Sequence, residues 1–211
     1  MKLHRNKRSA FLLLLMLVII PHAMHSQVSD ISILRHINLG RDKSLDPSFV
    51  FITNSVTPVI IATPVLLCTA GFIKKDSTLK RNAFYIGETM IVSAFVSSAL
   101  KYSVKRTRPF ITYPDLEPQT PAGSYSFPSG HTSAAFALAT SATITFPKWY
   151  VTVPAFAWAV AVGYSRMDLG VHYPTDVLAG AITGSGSAYI TYKLNKWVNK
   201  KRKTNKVKSS N

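Results

Sequence analysis

The sequence predicts an all-α protein. Five apolar stretches, 56–73, 84–100, 132–146, 149–164 and 177–194, recur along the chain, and no strand-like alternation of any length competes with them. Apolar residues reach 47% and charged residues only 16%, against roughly 25% charged in an average soluble domain. With 211 residues the chain is long enough for one domain with a real core; a multi-domain machine and a disordered chain are excluded.

The N-terminus comes first. Lys2, Arg5, Lys7 and Arg8 precede an apolar run from Ala10 to Ile20 that Pro21 breaks, the pattern of a secretory signal peptide. Cleavage near Ala23 or Ser26 fits the small-residue rule poorly, so residues 1–26 are either a signal peptide or an uncleaved anchor helix. Residues 27–54 are mixed and polar and read as an exported N-terminal segment. Residues 55–194 hold the apolar stretches and form the functional domain, and 195–211 are a basic C-terminal tail. The net charge of +16 sits mainly in the two ends: residues 1–8 carry four bases and 193–208 carry eight, with no acid in either. Such placement suits a polyanion or the anionic face of a membrane. Cys68 is the only cysteine, which excludes an intrachain disulfide and a cysteine-based metal site.

Each apolar stretch has 15 to 18 residues, at or below the roughly 20 that span a bilayer. Glu88 inside the second and the Gly, Ser and Thr of the fifth favour a soluble bundle. Loop charges point the other way. With the N-terminus inside, Lys74, Lys75, Lys80, Arg81, Lys148 and the tail from Lys193 fall on the cytoplasmic side, as the positive-inside rule requires. Loops 22–54, 101–131 and 165–176 then face out. Lys101, Lys105, Arg106 and Arg108 break that rule unless they serve a site. In the last stretch, Gly180 and Gly184 form a small-xxx-small pair for close packing on a neighbour.

Three motifs lie in the outward loops. In the first, Lys101 to Arg108-Pro109, the helix is expected to run on with residues 101, 105 and 108 on one face and to stop before Pro109. An ammonium and a guanidinium so spaced grip a phosphate from two sides. The second, Ser126-Phe-Pro-Ser129-Gly130-His131-Thr132, opens an apolar helix, whose free N–H groups and dipole favour an anion. Ser129 adds a hydroxyl donor, Gly130 admits close approach, and His131 can carry a proton at neutral pH. In the third, Arg166 is followed by His172 and Asp176, one helical turn apart. The carboxylate can hold one imidazole nitrogen and leave the other as an unprotonated nucleophile. Asp168 either tunes a histidine or is solvated; the solvated reading is preferred. Tyr113, Asp115, Glu117 and Tyr125 are read as lining the entrance.

Lys-x6-Arg-Pro, Pro-Ser-Gly-His and Ser-Arg-x5-His-x3-Asp, in this order and spacing, resemble the type 2 phosphatidic acid phosphatase (PAP2) family, related to vanadium haloperoxidases and class A acid phosphatases. The resemblance covers residues from about 50 to 194. It implies a PAP2-type helical bundle, multi-pass transmembrane with about five or six apolar helices. It also implies a phosphate bound by Lys101, Arg108, Ser129, Gly130 and Arg166. His172 is then the nucleophile that forms a phosphohistidine, Asp176 its orienting partner and His131 the proton donor, with neither metal nor cofactor. The expected substrate is a lipid phosphate monoester or pyrophosphate, at the periplasmic face of a bacterial inner membrane. A soluble periplasmic acid phosphatase is the alternative, and a haloperoxidase or a tail-driven binder of anionic lipid ranks below it. Nucleic acid is not an expected partner, because no base-stacking motif accompanies the lysines.

Overall fold

Short polar residues decide where the apolar stretches begin as helices. The computed structural model describes residues 28–209; the signal peptide or anchor expected over 1–26 lies outside the described residues. Among them there is no strand. The segment read above as polar contains two helices, α1 over 28–39 and α2 (Asp46–Asn54), joined through a 3-10 turn at Lys43–Leu45. The first apolar stretch is α3 (Val56–Ile73). Asp76 then caps α4 (Ser77–Val104) by accepting the Thr78 and Leu79 N–H groups at 2.7 and 3.2 Å. A single turn, α5 (Pro109–Thr112), leads into the 113–129 loop. Ser129 caps α6 (Gly130–Thr145), α7 spans Trp149–Asp168, and α8 (Pro174–Ser209) starts on a proline, where no N–H is needed.

Helix α6 is the axis of the bundle. It buries Thr132, Ser133, Ala135, Ala137, Leu138, Ala139 and Ser141, side chains small enough to let α4, α7 and α8 close around it. The tightest approach is to α8. A Cβ on Gly180 would sit 2.7 Å from the Ser129 carbonyl oxygen, and one on Gly184 would sit 2.1 Å from that of Ser133. The glycine pair therefore has a definite partner, the N-terminal half of α6. Polar ties cross the same seams: Ser93 and Ser133 hydroxyls are 3.0 Å apart, as are those of Thr140 and Ser185, and Tyr85 donates to the Ala188 carbonyl at 2.9 Å.

The outer surface is the reverse of a soluble protein's. Phe72, Phe84, Ile91, Phe95, Trp149, Val160, Leu178 and Ile182 all face outward, while alanine, serine and threonine are frequent inside beside a few larger side chains such as Ile86, Leu138 and Val162. Apolar outside and small inside is the pattern of helices packed in lipid, and it outweighs Glu88, whose carboxylate accepts from Asn195 at 2.6 Å. By length and hydropathy alone, two helical stretches among the described residues qualify as spans, Lys43–Ile73 and Ser77–Thr112. Helix α6 has only 16 residues, and the Gly, Ser, Thr and Tyr of α8 dilute its hydropathy.

Gly184→Ala is expected to lower the unfolding temperature in detergent by about 5–10 °C, because the added methyl meets backbone that cannot move aside. Gly186, where a Cβ would meet nothing within 4 Å, serves as the control and is expected to change it by less than about 2 °C.

Candidate active site

Four helix ends meet at one end of the bundle: the C-termini of α4 and α7 and the N-termini of α6 and α8. Between them they carry the three motifs. Helix α4 stops at Val104 because Lys105 turns into the left-handed region (φ 52°) while its N–H still bonds Lys101. This corrects the expectation of a helix running to Arg108 with residues 101, 105 and 108 on one face. Lys105 points to solvent, and the chain runs extended to Arg108 (ψ 148°), as a residue before proline should. From the last turn of α4, Lys101 reaches the Tyr125 carbonyl at 2.7 Å. Ser129 is buried at the head of α6, where its hydroxyl accepts from Thr132 Oγ1 at 2.9 Å, which leaves its own proton to donate. Gly130 faces Lys101, with a Cβ there falling 3.8 Å from Lys101 Cε. At the end of α7, Arg166 donates to Thr53 Oγ1 at 2.6 Å, and its buried Nε finds no hydrogen-bond partner among the described residues.

His172 lies at the centre, almost wholly buried. Its Nε2 is 3.0 Å from Arg108 Nη1. A guanidinium only donates, so Nε2 accepts and the ring proton sits on Nδ1. Nδ1 faces Asp176 Oδ2 at 3.4 Å. The carboxylate is fixed from several sides: Oδ2 also accepts from the Tyr173 N–H at 3.0 Å and from the Ser126 hydroxyl, and Oδ1 accepts from Arg106 at 2.8 Å. Arg108 is itself braced by the carbonyls of Ser124 and Val171 at 2.7 and 2.9 Å. A cavity of about 350 Å³ lined by Tyr102, Arg106, Arg108, Ile111, Ser124 and Tyr125 opens beside it.

Residues 82–200 match the PAP2 superfamily. The chain belongs to the PAP2 superfamily. Among curated proteins it is similar to an undecaprenyl-diphosphatase of Sulfolobus acidocaldarius (33% identical over 114 residues, 52% of this chain and 55% of the relative). It is also similar to a lipid A 4'-phosphatase of Bacteroides thetaiotaomicron (37% over 70 residues, 33% of this chain and 31% of the relative). The chain thus spans about half or less of the length of these relatives. Among solved structures, the PAP2-type phosphatidylglycerolphosphate phosphatase of Bacillus subtilis superposes with a TM-score of 0.71, at 26% identity, over 90% of this chain and 96% of that one. Aquifex aeolicus LpxE gives 0.65, at 27% identity, over 78% and 94%.

All eight residues expected in this PAP2 sequence to bind phosphate or act on it, Lys101, Arg108, Ser129, Gly130, His131, Arg166, His172 and Asp176, come from those four helix ends and from the turns that follow α4 and α7. Their charges are felt mutually. Burial first, then Arg166, Arg108 and Lys101, pushes His131 down to about 4. Burial likewise takes His172 to about 3, with Arg108 and Arg166 adding to it and Asp176 opposing. Burial works to raise the Asp176 carboxyl, but His172, Arg106 and Ser126 outweigh it and hold it below the usual range. His131 is therefore neutral at neutral pH in the free site, and a nearby negative charge would favour its protonated form.

Four other residues stand differently from their sequence reading. Asp168 is not solvated: it is buried, and burial raises its carboxyl, whose Oδ2 lacks a hydrogen-bond partner among the described residues. Tyr113, Asp115 and Glu117 do not line the opening beside Arg108. The two acids are tied to the N-terminal segment, Asp115 to Arg35 at 2.8 Å and Glu117 to Arg41 and Lys43 at 3.0 and 2.9 Å. Sequence reasoning named no role for Ser126, placed Arg106 only among four bases expected to serve a site, and did not single out Thr53 or Asp30. The first two stand inside the quoted motifs; the last two carry no local signal.

The two histidines fix a sign for pH dependence. Both have folded values below the ordinary 6.5, so the unfolded chain binds more protons below that pH. Their contribution to stability is complete above about 6.5 and is lost as pH falls towards the folded values. Thermal unfolding in detergent from about pH 8 to about pH 5 is expected to show a falling midpoint below about 6.5; a flat or rising midpoint contradicts the two buried neutral imidazoles.

Proposed function

We propose that this chain is a phosphatase that hydrolyses the phosphomonoester or pyrophosphate group of a lipid through a phosphohistidine on His172. The observation that carries the reading is the unprotonated Nε2 of His172, directed at Arg108 with its proton fixed on Nδ1 beside Asp176. Lys101, Arg108 and Arg166 bind the phosphoryl oxygens, with the Ser129 hydroxyl and the first N–H groups of α6, from Gly130 onward, as further donors. As substrate enters, a phosphate oxygen replaces His172 as the partner of Arg108, which frees the Nε2 lone pair. Nε2 attacks phosphorus and the P–O bond to the leaving group breaks. His131, protonated once the phosphate charge is present, gives its proton to the departing oxygen. Water then attacks the phosphohistidine, His131 takes the water's proton, and the N–P bond breaks to restore Nε2 and release phosphate. Positioning and electrostatics carry most of this chemistry.

The lipid character of the substrate is supported by the outward apolar surface of the helices whose ends form the site, and by the lipid named for the lipid A 4'-phosphatase relative. Orientation is supported by charge. Lys74, Lys75 and Lys148 lie in the turns at the far end of the bundle and Lys80 and Arg81 at the start of α4 beside them, the side that the positive-inside rule assigns to the cytoplasm. The reading is therefore of an inner-membrane enzyme of a bacterium whose site opens to the periplasm.

Phosphate release from a panel of lipid and water-soluble phosphates, with chelator present, tests the proposal. Lipid phosphates are expected to be preferred. His172→Ala is expected to lose at least about a thousand-fold in turnover, and Arg108→Ala or Arg166→Ala about a hundred-fold. Turnover that survives His172→Ala overturns the mechanism, and a preference for soluble esters overturns the lipid assignment.

A further inference from the structure

The carboxylate that orients His172 is held from behind by a second layer of charge. Arg106 donates through Nη1 to Asp176 Oδ1 at 2.8 Å and to Thr175 Oγ1 at 2.7 Å, and through Nη2 to Asp30 Oδ2 at 2.7 Å. Asp30 stands on α1, far upstream in sequence, and also accepts the Thr175 N–H at 2.9 Å and the Thr175 hydroxyl. The Tyr173 ring packs under the guanidinium, 3.8 Å from its carbon. The side chains of Asp30 and Asp176 are 2% and 0% exposed, and that of Arg106 is 22%.

Two features separate this cluster from an ordinary ion pair at a helix start. The contact from Asp176 to the imidazole is long, 3.4 Å, while that to Arg106 is 2.8 Å. The plane of the carboxylate is thus set by Arg106, Ser126 and the Tyr173 N–H, not by the ring it orients. The charges also balance. Arg106 alone would claim the charge of Asp176; with Asp30 present, two carboxylates and one guanidinium leave one negative charge, which is what a phosphorylated imidazolium needs beside it.

We propose that Arg106 and Asp30 are positioning residues for the nucleophile: Asp30 aims the Arg106 fork, Arg106 aims the Asp176 carboxylate, and Asp176 keeps the His172 proton on Nδ1. The proposal rests on His172 being the nucleophile. It makes α1, which lies outside the region 82–200 that matches the family, part of the working site, and it gives a reason for a buried acid in a segment otherwise outside the chemistry. Thr175 completes the bridge, since its hydroxyl and N–H both meet Asp30 while its neighbour Asp176 faces the histidine.

The experiment uses the full chain and the variants Arg106→Gln, Arg106→Lys and Asp30→Asn. Two quantities are read: kcat and KM on the lipid phosphate turned over fastest by wild type, and the tautomer of His172 from its imidazole nitrogen shifts at about pH 7.5, assigned by comparison with His172→Ala. For Arg106→Gln, kcat is expected to fall about 10- to 100-fold, and for Asp30→Asn about 10-fold, with KM changed less than about 3-fold. Arg106→Lys is expected to recover part of that loss. Wild type is expected to hold the single Nδ1–H tautomer, and both neutralising variants a mixture. Unchanged kcat together with a single tautomer overturns the proposal. So does a loss of kcat without any change of tautomer, which would mean that Arg106 acts on the substrate. Should Arg106→Gln fail to fold, Asp30→Asn keeps the side-chain shape and carries both readouts. A wild type that hydrolyses nothing refutes the phosphatase reading, whereas the tautomer needs no turnover and still decides the positioning.

Discussion

Lys101, Arg108 and Arg166 are gathered at one end of the bundle, half-buried or buried, and the nearby carboxylate of Asp176 is already committed to His172 and Arg106. Like charges so placed repel, and the repulsion is relieved only when an anion enters. Much else in the molecule follows from that imbalance. Together with burial, which is the larger cause, it holds His131 and His172 neutral, and the Arg166 Nε stands without a partner among the described residues. Such a site suits a phosphoryl group, and under the proposed mechanism it becomes proton-competent only once one is bound.

Holding such a cluster together needs a rigid frame. Helix α6 provides it by carrying almost nothing larger than leucine on its buried face, so that α8 can approach within backbone contact at Gly180 and Gly184. This contact ties the N-terminus of α6, with Ser129 and His131, to the N-terminus of α8, with Asp176; the Ser129 N–H donates to the Asp176 carbonyl at 2.9 Å. Packing and chemistry are one arrangement here, because the glycine seam ends at the catalytic turn.

The five long helices were legible because each carries a long, mostly apolar stretch, and Val56–Ile73 matches its stretch residue for residue. The site was legible because Lys101 and Arg108, Ser129 to His131, and Arg166, His172 and Asp176 keep short fixed spacings. What local pattern did not reveal depends on α1. Its buried residues Asp30, Ile31, Leu34 and Asn38 fall at helical spacing, but two of the four are polar, so no apolar stripe advertises the helix. Its contacts cross long stretches of chain: Arg106 to Asp30, Asp168 to Asn38, Asp115 to Arg35. The early end of α4 was hidden for another reason. Lysine has no preference for the left-handed region, and Lys105 adopts it because Arg106 and Arg108 are held on opposite tasks on either side of Thr107.

The measurement that bears most directly on this account is capture of the covalent intermediate. A substrate labelled at the scissile phosphorus is turned over, quenched in alkali, and the labelled peptide is identified. The account predicts an acid-labile, alkali-stable label on His172 that disappears when the intermediate is chased with unlabelled substrate. A label in an acid-stable ester on serine or threonine, or full turnover with no label on any residue, would contradict it.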